Sequence, residues 1–183
     1  MAKGTYINFV TPKGVARFPK LDQPDTKGEY ADNKYKTEIV LSEADTKAFK
    51  AKALEAAKQL LPGVKNPRIP IKVKETKDGE TVTSFIFKRH ADKGKPALFD
   101  AKRAPVNVKV GGGSVIKVGG SFAAYEKGAN KGITAYLDAV QIIELKEGFD
   151  ARSMFSDEDG FEASESFQDE TSGDEQSSDA LDL

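Results

Sequence analysis

The sequence predicts a mainly β protein: a small antiparallel barrel with one helix inserted between its strands, followed by an acidic tail. Three observations carry this. Short runs in which apolar and polar residues alternate dominate the first 150 or so residues, and a period of two is the mark of a half-buried strand. Only one segment, beginning near residue 43, has helical spacing between a capping residue and a Pro-Gly stop. Charge is also segregated, since residues 156–183 hold eleven carboxylates and neither lysine nor arginine. The chain as a whole has 28 bases and 29 acids, a net charge of −1, but residues 1–155 keep all 28 bases and only 18 of the acids. A near-neutral total therefore hides a basic body of about +10 and a tail of −11. Blocks of like charge repel one another, stay disordered and commonly serve as interaction tails.

The elements follow in order. Residues 5–10 and 15–18 are short extended runs split by the turn signal Thr11-Pro12-Lys13-Gly14. Residues 35–41 alternate apolar with charged side chains. The helix is expected over 43–61, with Ser42 as N-cap and Asp45 three residues on in the capping-box position. Ala44, Ala48, Ala51 and Leu54 or Glu55 sit at helical spacing, Phe49 and Ala53 widen the stripe, and Pro62-Gly63 ends it. Two strands, 69–74 and 81–89, are joined through Asp78-Gly79, a type I′ hairpin signal. Further strands are expected at 106–110, 114–118 and 133–145. Six to eight short strands and one helix suit a strongly bent barrel plugged by the helix better than a sandwich, and the OB-fold-like five-stranded antiparallel barrel is such a design. We place this domain at 1–150 and the disordered acidic tail at 151–183.

Composition narrows the chemistry. The chain has no cysteine, and so offers neither disulfide nor thiolate ligand. No apolar run approaches the roughly 20 residues that cross a bilayer, and Met-Ala-Lys-Gly-Thr-Tyr lacks a signal-peptide core. The expectation is an intracellular protein with no membrane contact. Gly111-Gly112-Gly113-Ser114 lacks the Gly-Lys-Ser/Thr ending of a phosphate loop and precedes a strand, so it reads as a turn. His90 is the lone histidine and has no ligand-type neighbour at useful spacing. Asp22, Asp25 and Asp32 are acids that a magnesium nuclease could use, but nothing in their spacing favours it. We expect no catalytic residues, no metal and no cofactor.

Binding is better supported. In 69–74 the pleat puts Ile69, Ile71 and Val73 on one face and Arg68, Lys72 and Lys74 on the other. In 81–89, Thr83, Phe85, Phe87 and Arg89 oppose Val82, Ser84, Ile86 and Lys88. With Val82 and Ile86 inward, two phenylalanines and an arginine stand outside beside a lysine row; with the opposite phase, Phe85 and Phe87 are core. Tyr30 and Tyr35 bracket Lys34, and Tyr125 precedes Lys127. Bases interleaved with aromatics suit single-stranded nucleic acid, whose unpaired bases stack on rings for roughly 1–3 kcal/mol each while lysines follow the phosphates.

The stretch Gly113-Ser114-Val115-Ile116-Lys117-Val118 and the run from Gly132-Ile133 through Leu137 to Ala139-Val140-Gln141 resemble the last barrel strands of the phage single-stranded DNA-binding proteins. Tyr6-Ile7-Asn8-Phe9-Val10-Thr11-Pro12 and the acidic end agree with that resemblance. It implies an OB fold and sequence-nonspecific binding of single-stranded DNA in phage replication and recombination, in the cytoplasm of an infected bacterium. On this reading Phe85, Phe87, Tyr35 and Tyr125 stack bases, while Lys34, Lys72, Lys74, Arg89 and Lys117 meet phosphates. The tail, through Asp157, Glu158, Asp159, Asp179, Asp182 and Leu183, competes with DNA and recruits a phage polymerase, helicase or primase. Tails of this type often end in an aromatic residue; here Leu183 would fill that place. The resemblance also allows a homodimer. An acidic-tailed chaperone for a basic partner and a single-stranded RNA-binding module are the alternatives.

Overall fold

Strands whose side chains alternate in and out can bury all their inward residues at once only by closing on themselves or on a second layer. This chain closes. The computed structural model describes residues 5–147 together with 156 and 158–160. Contacts divide the chain into two units, Met1–Phe149 and Asp150–Leu183. In the second, Glu158 and Asp159 are exposed. Asp157, Asp179, Asp182 and Leu183 of the expected tail lie outside the described residues.

In the first unit the strands are β1 (Tyr6–Val10), β2 (Gly14–Lys20), β3 (Lys34–Val40), β4 (Ile71–Glu75), β5 (Thr81–His90), β6 (Ala97–Phe99), β7 (Val115–Lys127) and β8 (Asn130–Glu144), with helix α1 (Glu43–Leu60) between β3 and β4. Strands β2, β3, β5, β8 and β7 pair in a ring, and β7 returns to β2. That is the expected closed five-stranded barrel. One seam differs from the antiparallel expectation, because β5 meets β8 in parallel at Lys88 and Tyr136. β1 continues the line of β2 along β7, β4 lies outside on β5, and β6 lies parallel to β8.

Curvature comes from irregularities that the alternation does not announce. Gly119 pairs with Ala139 but Gly120 with Leu137, which leaves Asp138 as an extra residue in β8. A bulge of this kind bends the strand. It lets β8 leave β5 after Tyr136 and take up β6 from Ala139. Gly120 makes room for the bend: a β-carbon there would stand 1.8 Å from the Tyr136 carbonyl oxygen. A second irregularity between Arg17 and Lys20 puts Phe18 at φ +48°.

Five phenylalanines fill the barrel. Phe9, Phe49, Phe85, Phe87 and Phe122 are all buried. Phe49 reaches in from α1 and meets Phe85 edge-on, with centroids 4.8 Å apart, while Phe9 lies 4.5 Å from Phe122. Ser42 caps the helix as expected, its hydroxyl accepting from the Asp45 N–H at 3.2 Å. The buried stripe, however, is Phe49, Ala53, Ala56 and Ala57, whereas Ala44, Ala48, Ala51 and Leu54 face solvent. With alanines on every side, the phase of the helix is set by its one large apolar group, which the aromatic core takes in.

Two local expectations also change. At the tip of the β4–β5 hairpin the Gly79 N–H donates to the Thr76 carbonyl and the Thr76 N–H to the Glu80 carbonyl. Gly79 alone has positive φ, +80°, so the turn is type I with a glycine bulge and not type I′. Residues 106–110 make no strand. Val106 and Val108 rest against the core and Val110 makes one isolated bridge to Glu147. The glycine stretch is a turn, as expected, stapled by the Ser114 hydroxyl, which donates to the Gly111 carbonyl at 2.8 Å and accepts from the Lys146 N–H at 2.9 Å.

Candidate nucleic-acid interface

The pairing register determines which side chains share the outer face of the barrel. On β5 the outward set is Ser84, Ile86, Lys88 and His90, because Phe85 and Phe87 are fully buried. Lys34, Lys36 and Glu38 on β3 stand opposite His90, Lys88 and Ile86. Tyr136 on β8 stands beside Lys88. One wall of the barrel therefore carries lysines, a histidine and a tyrosine in adjacent rows.

Three depressions run along this wall and share residues. The largest, about 460 Å³, is lined by Lys34, Ile86, Lys88, Tyr125, Lys127 and Tyr136 among others. His90 and Tyr136 also line a second, of about 230 Å³, reached past Tyr6 and Lys93. Ile86 and Lys88 also line a third, of about 340 Å³, bounded by Phe18, Glu38 and Lys72. The rings are spaced along the track: Tyr136 is 6.4 Å from Tyr6 and 6.5 Å from His90, in tilted arrangements. Tyr6 is 60% exposed and Phe18 64%. Such rings offer a face to a base, and the ammonium groups beside them suit phosphates.

Carboxylates organise the lysines. Lys36 bridges Asp25 and Asp32, the latter at 3.4 Å, and Lys88 also reaches Asp32, at 3.3 Å. Burial works against the charge on Asp32, but its hydrogen bond and attraction to Lys88, and then its contacts with Lys36, prevail and lower its pKa. Burial likewise opposes the charge on Lys36, and the Asp25 hydrogen bond with the two carboxylate charges outweighs it, raising the pKa. Two of the acids that the sequence offered as magnesium ligands thus hold cations in place. Among the described residues Lys34 and Lys127 form no such pair, so their charge is available to a ligand.

Of the residues expected from sequence, Lys34 and Tyr125 meet in the central depression, and Lys72 borders the third. Others are placed elsewhere. Phe85 and Phe87 are core residues and have no face to offer a base. Tyr35 lies on the same side of β3 as buried Thr37 and Ile39 and packs against the core. Arg89 lines the second depression, but its guanidinium is engaged by the fold: it donates to the Gly94 and Lys93 carbonyls at 2.7 and 2.6 Å and pairs with Asp138 at 3.1 Å. Lys74 is exposed on the hairpin beyond the stretch of β5 that pairs with β3. Lys117 borders a separate, apolar cleft with Val10, Arg103 and Gln141.

Sequence reading missed Tyr136, Tyr6, Lys88, His90 and Phe18 as members of the site. Tyr136 had a usable signal, since Ile133, Ala135 and Leu137 alternate with Thr134, Tyr136 and Asp138. Phe18 had none, because its exposure depends on the β2 irregularity.

Solved structures of other proteins share this fold. The single-stranded DNA-binding protein of bacteriophage T7, gp2.5, superposes with a TM-score of 0.58 at 18% identity, over 87% of this chain and 100% of that one. The single-stranded DNA-binding protein of bacteriophage Enc34 in complex with ssDNA gives 0.60 at 15% identity, over 78% of this chain and 89% of that one. Its C-terminally truncated form gives 0.59 at 18%, over 78% and 88%. These likenesses establish the shared fold. No curated protein matches the chain in sequence. The family described as the Enterobacter phage Enc34 ssDNA-binding protein matches residues 8–172, nearly the whole chain. The chain belongs to this family of phage single-stranded DNA-binding proteins.

Proposed function

We infer that the protein binds single-stranded DNA, without a sequence requirement, along the outer wall formed by β3, β5 and β8 with the start of β1 and the end of β7. The observation that carries this is the unbroken track of Tyr6, His90, Tyr136 and Tyr125 with Lys34, Lys88 and Lys127 on one side of the barrel. Lysines release counterions when they meet phosphates, and the rings accept bases that only an unpaired strand exposes. Duplex DNA hides those faces, so the same track favours the single strand.

The work such binding serves is phage DNA replication and recombination, in the cytoplasm of the infected bacterium. The eleven carboxylates of residues 156–183 complement a body of about +10. The tail therefore competes by charge with the DNA, is released when DNA binds, and is then open to a polymerase, helicase or primase. Leu183 supplies an apolar end to that segment, and self-association into a homodimer is compatible with it.

The test is fluorescence anisotropy of labelled oligo-dT against the matching duplex, with full-length protein and a 1–155 truncation at several salt concentrations. The expected result is preference for the single strand, a log–log salt slope near −0.7 per phosphate contacted, and tighter binding by the truncation. Equal, weak binding to both DNAs would remove the reading. Unchanged affinity on truncation would remove tail competition alone.

A further inference from the structure

The depression between Phe18 and Ile86 has a carboxylate, Glu38, in its lining. Glu38 is largely covered, with its side chain 15% exposed, and is held from two sides: Oε1 accepts from the Lys72 ammonium at 3.2 Å and Oε2 from the Ser84 hydroxyl at 3.1 Å. A carboxylate has about four lone-pair sites, so each oxygen keeps acceptor capacity beyond these two bonds, and Glu38 lines the opening. Lys36, Lys72 and Lys88 line the same opening and suit phosphate, whereas the remaining acceptor capacity of the carboxylate does not. The group that complements it is a neutral donor.

Phe18 supplies the second observation. It is a bulky residue in the left-handed region, φ +48°, where side chains other than those of glycine, asparagine and aspartate are rarely found. Such strain persists where the surroundings hold it and clusters at binding sites. Here it turns the ring out of the barrel, 64% exposed, with the Arg17 guanidinium 5.4 Å from the ring centroid. Ile86 lines the same opening, of about 340 Å³, which lies within the roughly 300–1,000 Å³ range of small-ligand clefts.

We propose that this depression is a nucleobase subsite that favours a base bearing an exocyclic amino group. The base stacks on Phe18 over Ile86, its amino group donates to Glu38, and Lys72 and Lys88 flank it on the phosphate side. Cytosine fits through its N4 amino group, whereas thymine presents the O4 acceptor to a carboxylate. This rests on the DNA-binding reading above and adds to it a graded preference for composition within a binder that has no required sequence.

The test uses full-length protein and length-matched oligo-dC and oligo-dT, read by anisotropy for the natural protein and for Glu38→Gln and Phe18→Ala. One hydrogen bond gained against one acceptor repelled predicts about three- to tenfold tighter binding of oligo-dC. Glu38→Gln, whose amide can also donate to O4, should bring that ratio to about one. A purely structural role for Glu38 would weaken both DNAs together. Phe18→Ala, at an exposed site, should weaken both DNAs and shrink the ratio. Equal binding of the two DNAs by the natural protein, or a ratio that survives Glu38→Gln, overturns the subsite and leaves the DNA-binding reading standing. Binding of neither DNA overturns both.

Discussion

Two sets of aromatic rings divide this protein, and they differ in burial and in the company they keep. Inside the barrel, Phe9, Phe49, Phe85, Phe87 and Phe122 pack against one another at centroid distances of 4.5 to 6.3 Å. Outside, Tyr6, Phe18, Tyr125 and Tyr136 line depressions between lysines. Phe87 and Lys88 are neighbours in sequence, yet the first has 0% exposure and the second borders two of the depressions. An aromatic residue in a strand is therefore a ligand contact or a core residue according to the pleat. Here the inner rings are all phenylalanine, and the outer set is mostly tyrosine.

The comparison predicts that inner substitutions cost stability and outer ones cost binding. The largest effect is expected for Phe87→Ala, which should lower unfolding free energy by about 3–5 kcal/mol in urea titrations and abolish DNA binding only as far as the protein unfolds. A melt no different from that of the natural protein would mean the ring is not core.

Gly120→Ala joins the two regions, since the new methyl would meet the Tyr136 carbonyl at the β8 bend. It should cost about 1–3 kcal/mol of stability and should also weaken DNA binding in the fraction that stays folded, because the bend carries Tyr136. Tyr136→Ala should leave the melting curve in place and reduce affinity for oligo-dT by about 1–3 kcal/mol, seen as a rise in Kd. A variant that melts early and binds normally would reverse the assignment.

Lys34→Ala should have a smaller and more specific effect. It should shift the log–log salt slope by about 0.7 with little change in stability. The smallest effect is acid sensitivity. Asp32 titrates below its ordinary value of 3.8, so its contribution to stability is complete above that value and is lost as pH falls through the lower, folded one. Asp32→Asn should flatten the acid limb of a stability–pH curve. An unchanged limb would show that the Asp25–Lys36–Asp32–Lys88 network does not stabilise the outer wall.

Much of the fold was legible in the residues. Ser42 and Asp45 marked the helix start because a hydroxyl there has an orphan N–H to satisfy. Strand 81–90 was not legible in phase. Its two faces, with Phe85 and Phe87 against Val82 and Ile86, are about equally apolar, and a period of two gives the alternation without its sign. The helix presented the same ambiguity, its alanines covering more than one face.

The sequence by itself determined local and compositional properties: a β-rich chain, one capped helix, a basic body joined to an acidic end, and a family motif near β8. These depend on neighbours along the chain or on simple totals. Only the tertiary structure decided which phenylalanines are core, that Arg89 serves the fold, that Asp25 and Asp32 hold lysines, and that Tyr6, Tyr136 and Phe18 stand along one wall. Each of these depends on groups far apart in the chain. Phe49 must find Phe85 across the barrel, and the bends at Gly120 and Phe18 must aim the strands, before inside and outside acquire a meaning.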